Sequence, residues 1–185
     1  MLPIVLCIVG AGGSYTPEIV EGVLDRPGLE LAEVSLTDSD PQRLGVMAGL
    51  TRRMIAAKGA KIAVRESSDL AQAAAGADFV VTQIRVGGMA ARQLDETIPL
   101  RYGVIGQETT GPGGMFKALR TIPVMIDIAR TIAQVAPGAF ILNYTNPSGI
   151  VTEAVLNHTD AKLLGLCSSI PLLQHRLRRL LAPVF

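Results

Sequence analysis

The stretch that most constrains the fold is residues 4–17, Ile-Val-Leu-Cys-Ile-Val-Gly-Ala-Gly-Gly-Ser-Tyr-Thr-Pro. Six apolar residues in a row read as a strand buried on both faces, which requires a parallel sheet covered by helices on each side. The glycine turn runs straight into Thr16, Pro17 and Glu18, which predict a helix cap, a first helical position and an acidic first turn. Strand, glycine turn and helix in this order make a cradle for phosphate. Backbone N–H groups at the helix start point at the anion, and only residues without Cβ let the main chain approach it closely. Gly10, Gly12 and Gly13 are therefore candidate contacts to the pyrophosphate of a dinucleotide. The third glycine of a G-x-G-x-x-G pattern would fall at Tyr15, so the turn alone also fits a strand-to-helix corner with no ligand.

The next predicted strand, residues 31–37, ends at Asp38. A carboxylate there can accept both hydroxyls of an adenosine ribose and would repel a 2′-phosphate, which favours NAD over NADP. The same residue, within Asp38-Ser39-Asp40-Pro41, also suits a helix N-cap. Farther along, helical spacing over residues 42–58, a short strand at 62–64, an alanine-rich helix opened by Asp69 and a strand at 79–82 repeat the alternation. A long helix from about Met115 to Gln134, which Pro123 should bend or interrupt, precedes strands at 139–142 and 163–166. Alternating strands and helices pair in parallel through right-handed crossovers, giving an α/β doubly wound Rossmann sheet. The loops after residues 9, 37, 82 and 142 should then meet in one cleft beyond the strands' carboxyl ends.

Several functions are disfavoured by composition. Seventeen basic and sixteen acidic residues leave a net charge of +1, which argues against a nucleic-acid surface. Two cysteines, Cys7 and Cys167, form no disulfide framework and suit a reducing cytoplasm. The apolar start has no basic leader, and no run reaches the roughly 18 uninterrupted apolar residues of a membrane helix. With 185 residues, the chain has room for one domain or one and a half, and with the glycine turn it is read as one NAD-binding domain over 1–185.

Four polar places stand out, three of them at predicted strand exits and one between two helical stretches. Residues 83–92 carry Arg85 and Arg92, each suited to grip a carboxylate or phosphate, or else to pair on the surface with Asp95 or Glu96. The loop at 103–114, Gly-Val-Ile-Gly-Gln-Glu-Thr-Thr-Gly-Pro-Gly-Gly, is long and polar enough to suggest a functional excursion. Asn146, ahead of Pro147 in Asn-Tyr-Thr-Asn-Pro-Ser-Gly, fits either turn chemistry or ligand contact. Cys167 is either apolar filler or, at a central strand's exit, a metal ligand or reactive thiol. A basic helix at 172–181 containing His175 reads as a surface element without a metal role.

Taken together, residues 10–17, 106–114, 143–149 and 165–167 resemble the N-terminal half of the family 4 glycoside hydrolases, and most of all their 6-phospho-β-glucosidase members. The resemblance runs from residue 4 to about 171. It implies a fold shared with lactate and malate dehydrogenases. It also implies an NAD- and divalent-metal-dependent cleavage of 6-phospho-β-glucosides by oxidation at C3, elimination and water addition, outside the two-carboxylate scheme. It assigns Gly10, Gly12, Gly13, Ser14, Tyr15 and Asp38 to NAD, with Asn143 near the nicotinamide ribose. Arg92 and Asn146 go to the substrate, and Cys167 to a metal, usually manganese, which acts as a Lewis acid. The substrate would be a phosphorylated disaccharide or aryl glycoside, and relatives assemble as dimers or tetramers. In relatives the base tyrosine, the metal's histidine and the substrate domain lie downstream of the part matched here, so no catalytic residue is expected within this chain. Ser168 stands where β-specific members carry asparagine and α-specific members aspartate. Two further readings remain: a 2-hydroxy-acid dehydrogenase relative and a non-catalytic NAD-binding module.

Overall fold

The computed structural model describes residues 3–167. Six strands, β1 (Ile4–Val9), β2 (Leu31–Thr37), β3 (Ala63–Glu66), β4 (Phe79–Thr82), β5 (Phe140–Asn143) and β6 (Leu163–Gly165), form one sheet. Its order is β3-β2-β1-β4-β5-β6, and every pairing is parallel. The helices are α1 (Thr16–Leu24), α2 (Pro41–Ala57), α3 (Leu70–Ala74), α4 (Gly88–Leu100), α5 (Gly111–Val135) and α6 (Ser148–His158). The expected doubly wound architecture is the one observed.

Side-chain alternation along the strands splits the core into two layers. Cys7, Val9, Val80 and Ile141 face α3, α5 and α6, where Ala73, Met125, Ile132 and Val151 meet them. Leu6, Ile8, Val34, Leu36 and Val81 face α1 and α2, where Val20, Leu44 and Ala48 complete the packing. An aliphatic core of this kind follows from a chain with 4% aromatic residues. The Cys7 thiol lies fully inside it, and burial pushes its pKa up to about 12, so it is a core side chain with no nucleophilic character.

Local chemistry departs from the sequence expectations in four places. Thr16 does not cap α1 but begins it; its hydroxyl turns inward and donates to Ala11 O (2.7 Å). The cap of α2 is Asp40, whose Oδ1 accepts from Gln42 N and Arg43 N, so Asp38 is released from that duty. The helix expected from Met115 begins at Gly111, which shortens the preceding loop to residues 101–110. Pro123 does not interrupt α5, whose helical conformation runs unbroken through it. The basic stretch at 172–181, with His175, and Ser168 lie outside the described residues.

Candidate dinucleotide site

The strand register aligns the site. Thr37, Val9, Thr82, Asn143 and Gly165 form one row across β2, β1, β4, β5 and β6, the last rung of the sheet. The chain therefore leaves β1, β2, β4 and β5 at the same level as β6, which is an edge strand and not the central one expected before Cys167, and Gly10, Asp38, Gln83, Tyr144 and Leu166 open a common carboxyl edge. Asn146 and Cys167, both exposed, belong to loops on this edge, as does Gly12.

At the centre, Gly10 N–H and Ala11 N–H both donate to Thr37 O (2.9 Å each), and Gly13 N–H donates to Gly10 O (3.0 Å). Gly10 has φ +83°, and a Cβ there would lie 2.8 Å from Gln83 O. A Cβ on Gly12 would lie 2.9 Å from both Asp38 Oδ2 and Arg43 Cβ. Glycine is thus required by contact at both positions. The Asp38 carboxylate accepts from Gly12 N–H (2.8 Å) and from Asp40 N–H (2.9 Å), which fixes it against the turn. Each oxygen keeps acceptor capacity for a ribose hydroxyl. Ser14 is exposed, as is Tyr15, at 59%; with its side chain directed outward, position 15 needs no glycine for helix packing.

Asn143 is fully buried. Its Oδ1 accepts from Thr82 Oγ1 and Thr145 N (2.9 Å each), while Nδ2 donates to Thr145 O (3.2 Å) and Thr152 Oγ1 (3.4 Å). All of the amide's valences are met by the chain itself, so the side chain shapes the exit of β5. Asn146 follows, and the Asn146–Pro147 peptide is cis.

A second polar group gathers beside the exit of β4. The Glu108 carboxylate accepts from Arg85 and from Lys117 Nζ (2.5 Å), and Arg92 Nη1 forms an ion pair with it at 3.2 Å. Arg92 Nε also pairs with Glu96 (2.8 Å), the i,i+4 partner foreseen for it, whereas Asp95 is taken by Arg120. Burial pushes the Glu108 carboxyl up, but hydrogen bonds from Lys117 and Arg85 outweigh it and hold the group below the usual carboxylate range. Lys117 is only 3% exposed, and that burial lowers its ammonium pKa more than Glu108 restores it. Three cations facing Glu108, with Glu96 on one of them, leave the cluster positive and suited to an anionic ligand. Sequence reasoning did not single out Glu108 or Lys117. A lysine in register with the buried residues Gly114, Ala118, Thr121 and Met125 of α5 was the available signal.

The glycine cradle and the restrained Asp38 fit an adenine dinucleotide. The donor set for a metal is different: among the described residues, no three histidine, cysteine, aspartate or glutamate side chains come together to hold one. Cys167 brings one sulfur to this edge, too little to hold a metal without further ligands. A groove beside β6, lined by Ser148, Thr152, Leu156 and Leu164, lies one strand beyond Asn143.

The profile described as "Family 4 glycosyl hydrolase" matches residues 5–182. The chain belongs to this family. Its relatives include a probable 6-phospho-beta-glucosidase of Bacillus subtilis (strain 168), 47% identical over 165 residues, or 86% of this chain and 37% of the relative. Among solved structures, the 6-phospho-beta glucosidase from Thermotoga maritima with manganese, NAD+ and glucose-6-phosphate superposes with a TM-score of 0.90 at 35% identity, covering 97% of this chain and 44% of that one. Lactate dehydrogenase from Eimeria maxima superposes at 0.65 with 18% identity, over 90% of this chain and 44% of that one, a likeness of fold alone. The chain thus spans little more than a third of the length of the curated family member it matches.

Proposed function

We propose that this chain is the dinucleotide-binding part of an NAD- and divalent-metal-dependent glycosidase of the family, acting on 6-phospho-β-glucosides. The observation that carries the reading is the single rung at which β1, β2, β4 and β5 end, with the glycine cradle and Asp38 at its centre. The presence of NAD+ and manganese in the Thermotoga maritima structure supports the same assignment.

On this reading Gly10, Gly12, Gly13, Ser14 and Tyr15 receive the pyrophosphate through main-chain N–H groups at the start of α1. Asp38 accepts the adenosine ribose hydroxyls and excludes a 2′-phosphate by like charge. Asn143 acts by holding the β5 exit in shape, so that Asn146 projects toward sugar hydroxyls. Arg92, held between Glu96 and Glu108, keeps donors for a phosphorylated sugar. Bound NAD would supply hydride exchange with C3 of the sugar. Cys167 offers one thiolate ligand to a divalent metal, whose other ligands come from outside the described residues. The base tyrosine and the substrate domain lie in the remaining part of the family's length. A homo-oligomer working in the cytoplasm on phosphorylated disaccharides or aryl glycosides completes the proposal.

Calorimetric titration of the 185-residue chain with NAD tests it. Saturable one-to-one binding is expected, with no NADH formed from malate or lactate. Absence of NAD binding, or dehydrogenase turnover of either acid, overturns the assignment.

A further inference from the structure

Gln83, the first residue beyond β4, carries a side-chain oxygen that the fold buries without a partner: its Oε1 has no hydrogen bond among the described residues. Buried acceptors in native proteins are almost always satisfied, so one left open beside a binding turn calls for a donor.

The orientation of this amide is fixed by its neighbours. Thr16 Oγ1 lies 2.7 Å from Ala11 O, and a carbonyl can only accept, so the single hydroxyl proton of Thr16 goes there. Thr16 Oγ1 must then accept from Gln83, 2.7 Å away, which requires the NH2 group on that side. Oε1 is thereby turned the other way. It lies 3.7 Å from the point a Cβ on Gly13 would occupy, against the glycine turn.

A phosphate oxygen offers no proton and would be repelled by Oε1, so the group that meets it is an O–H or N–H. The sheet order decides which half of a dinucleotide supplies it. β2, with Asp38, lies on one side of β1, and β4, with Gln83, on the other. With the pyrophosphate over the β1 turn and the adenosine ribose at Asp38, Gln83 falls on the nicotinamide side. The ribose is the donor-bearing group that adjoins the pyrophosphate; the carboxamide lies farther out.

We propose that Gln83 is a cofactor-binding residue whose Oε1 accepts a hydrogen bond from a hydroxyl of the nicotinamide-side ribose, with Thr16 and Ala11 as the relay that orients it. The inference rests on the NAD-binding reading above and adds a contact that distinguishes the two halves of the ligand.

Titration calorimetry on the full chain, wild type and Gln83→Leu, with NAD and with ADP as probes, tests it. The variant should bind NAD about tenfold more weakly and ADP within about twofold of wild type, because ADP has no second ribose. NAD analogues deoxygenated at the 2′ or 3′ position of the nicotinamide ribose give a second measurement that needs no variant. One of them should bind wild type about tenfold more weakly than NAD, and Gln83→Leu should not discriminate it from NAD. Equal loss of NAD and ADP in the variant would make Gln83 a support of the turn alone and overturn the proposal. Unchanged NAD affinity, or wild-type indifference to both deoxy analogues, would overturn it as well, leaving Oε1 to a water. Failure of the wild type to bind either nucleotide would instead sink the function on which the inference rests.

Discussion

Glu108 and Lys117 show how much depends on a pair that no motif announces. Lys117 is buried against Glu108, and Glu108 is shared with two arginines, so the two partners are not equivalent. Removing the carboxylate charge by Glu108→Gln leaves a buried ammonium with no anion, which should cost about 3 kcal/mol. Removing the cation by Lys117→Met leaves Glu108 with Arg85 and Arg92 and should cost about 1 kcal/mol. The double variant should then resemble Lys117→Met alone, a coupling that urea unfolding of all four proteins would measure. The pH dependence has a definite sign. Glu108 is held below the usual carboxylate range, so the unfolded chain takes up its proton first as pH falls. Its contribution is present above the unfolded value and declines as pH falls toward the folded one. The stability gap between wild type and Glu108→Gln should therefore narrow between about pH 5 and pH 3. Equal costs for the two single variants at neutral pH would show that the carboxylate is not the hub. The Arg92–Glu96 pair was legible from its i,i+4 spacing. The reach of Lys117 back to a loop nine residues earlier was not, since it depends on how the chain folds between them.

Two alanine substitutions within α5 separate helix propensity from packing. Gly113 and Gly114 look in the sequence like part of a flexible loop, yet both are buried in the helix's first turn. A Cβ on Gly113 would lie 2.2 Å from Gln107 O and 2.6 Å from Asp95 O. These are main-chain atoms of the preceding loop and of α4, and they cannot swing aside as a side-chain end would. Propensity alone would make Gly113→Ala stabilising by about 1 kcal/mol. Overpacking against backbone should reverse that sign and destabilise by about 2–3 kcal/mol. Pro123 is the opposite case. It is exposed in mid-helix, where its ring withholds an N–H from the carbonyl one turn earlier. Pro123→Ala should stabilise by about 1–3 kcal/mol, less than the full intrinsic difference if the surrounding turns have already adapted to the ring. Thermal unfolding of the two variants, moving in opposite directions from wild type, is the expected outcome. A stabilising Gly113→Ala would show that the start of α5 can shift away from α4. The helix's true beginning was hidden in the sequence because its glycines are there for contact, and contact is a property of the assembled chain.

At the scale of the molecule, period and punctuation made readable the six strands, the doubly wound order, the two-sided core and the edge where the exits meet, but not the cap of α1 or the start of α5. Less accessible was the division of labour at that edge. Asp38 reads in the sequence as either a ribose contact or a helix cap, and only the folded chain gives the cap to Asp40 and leaves Asp38 for the turn. Asn143, which the resemblance sets near the nicotinamide ribose, has its amide bonded to three threonines, and that network is visible only in the folded chain. On the proposed reading the remaining consequence is global, because a dinucleotide laid over β2, β1 and β4 would touch three strands on which both core layers are built. Its binding free energy must then add to the stability of the whole sheet. At a concentration one hundred times its dissociation constant, NAD should stabilise the chain by about 2.7 kcal/mol, which for a domain of this size raises Tm by roughly 5–10 °C. NADP at the same concentration should give a clearly smaller rise, because Asp38 is fixed by two backbone N–H groups and cannot retreat from a 2′-phosphate. Gly12→Ala, which drives a methyl group against Asp38 Oδ2 and Arg43 Cβ, should lose most of the rise with either nucleotide. Equal shifts with NAD and NADP in a thermal-denaturation series would remove Asp38 from the ribose site, because a fixed carboxylate in contact with that ribose has no way to treat a hydroxyl and a phosphate alike.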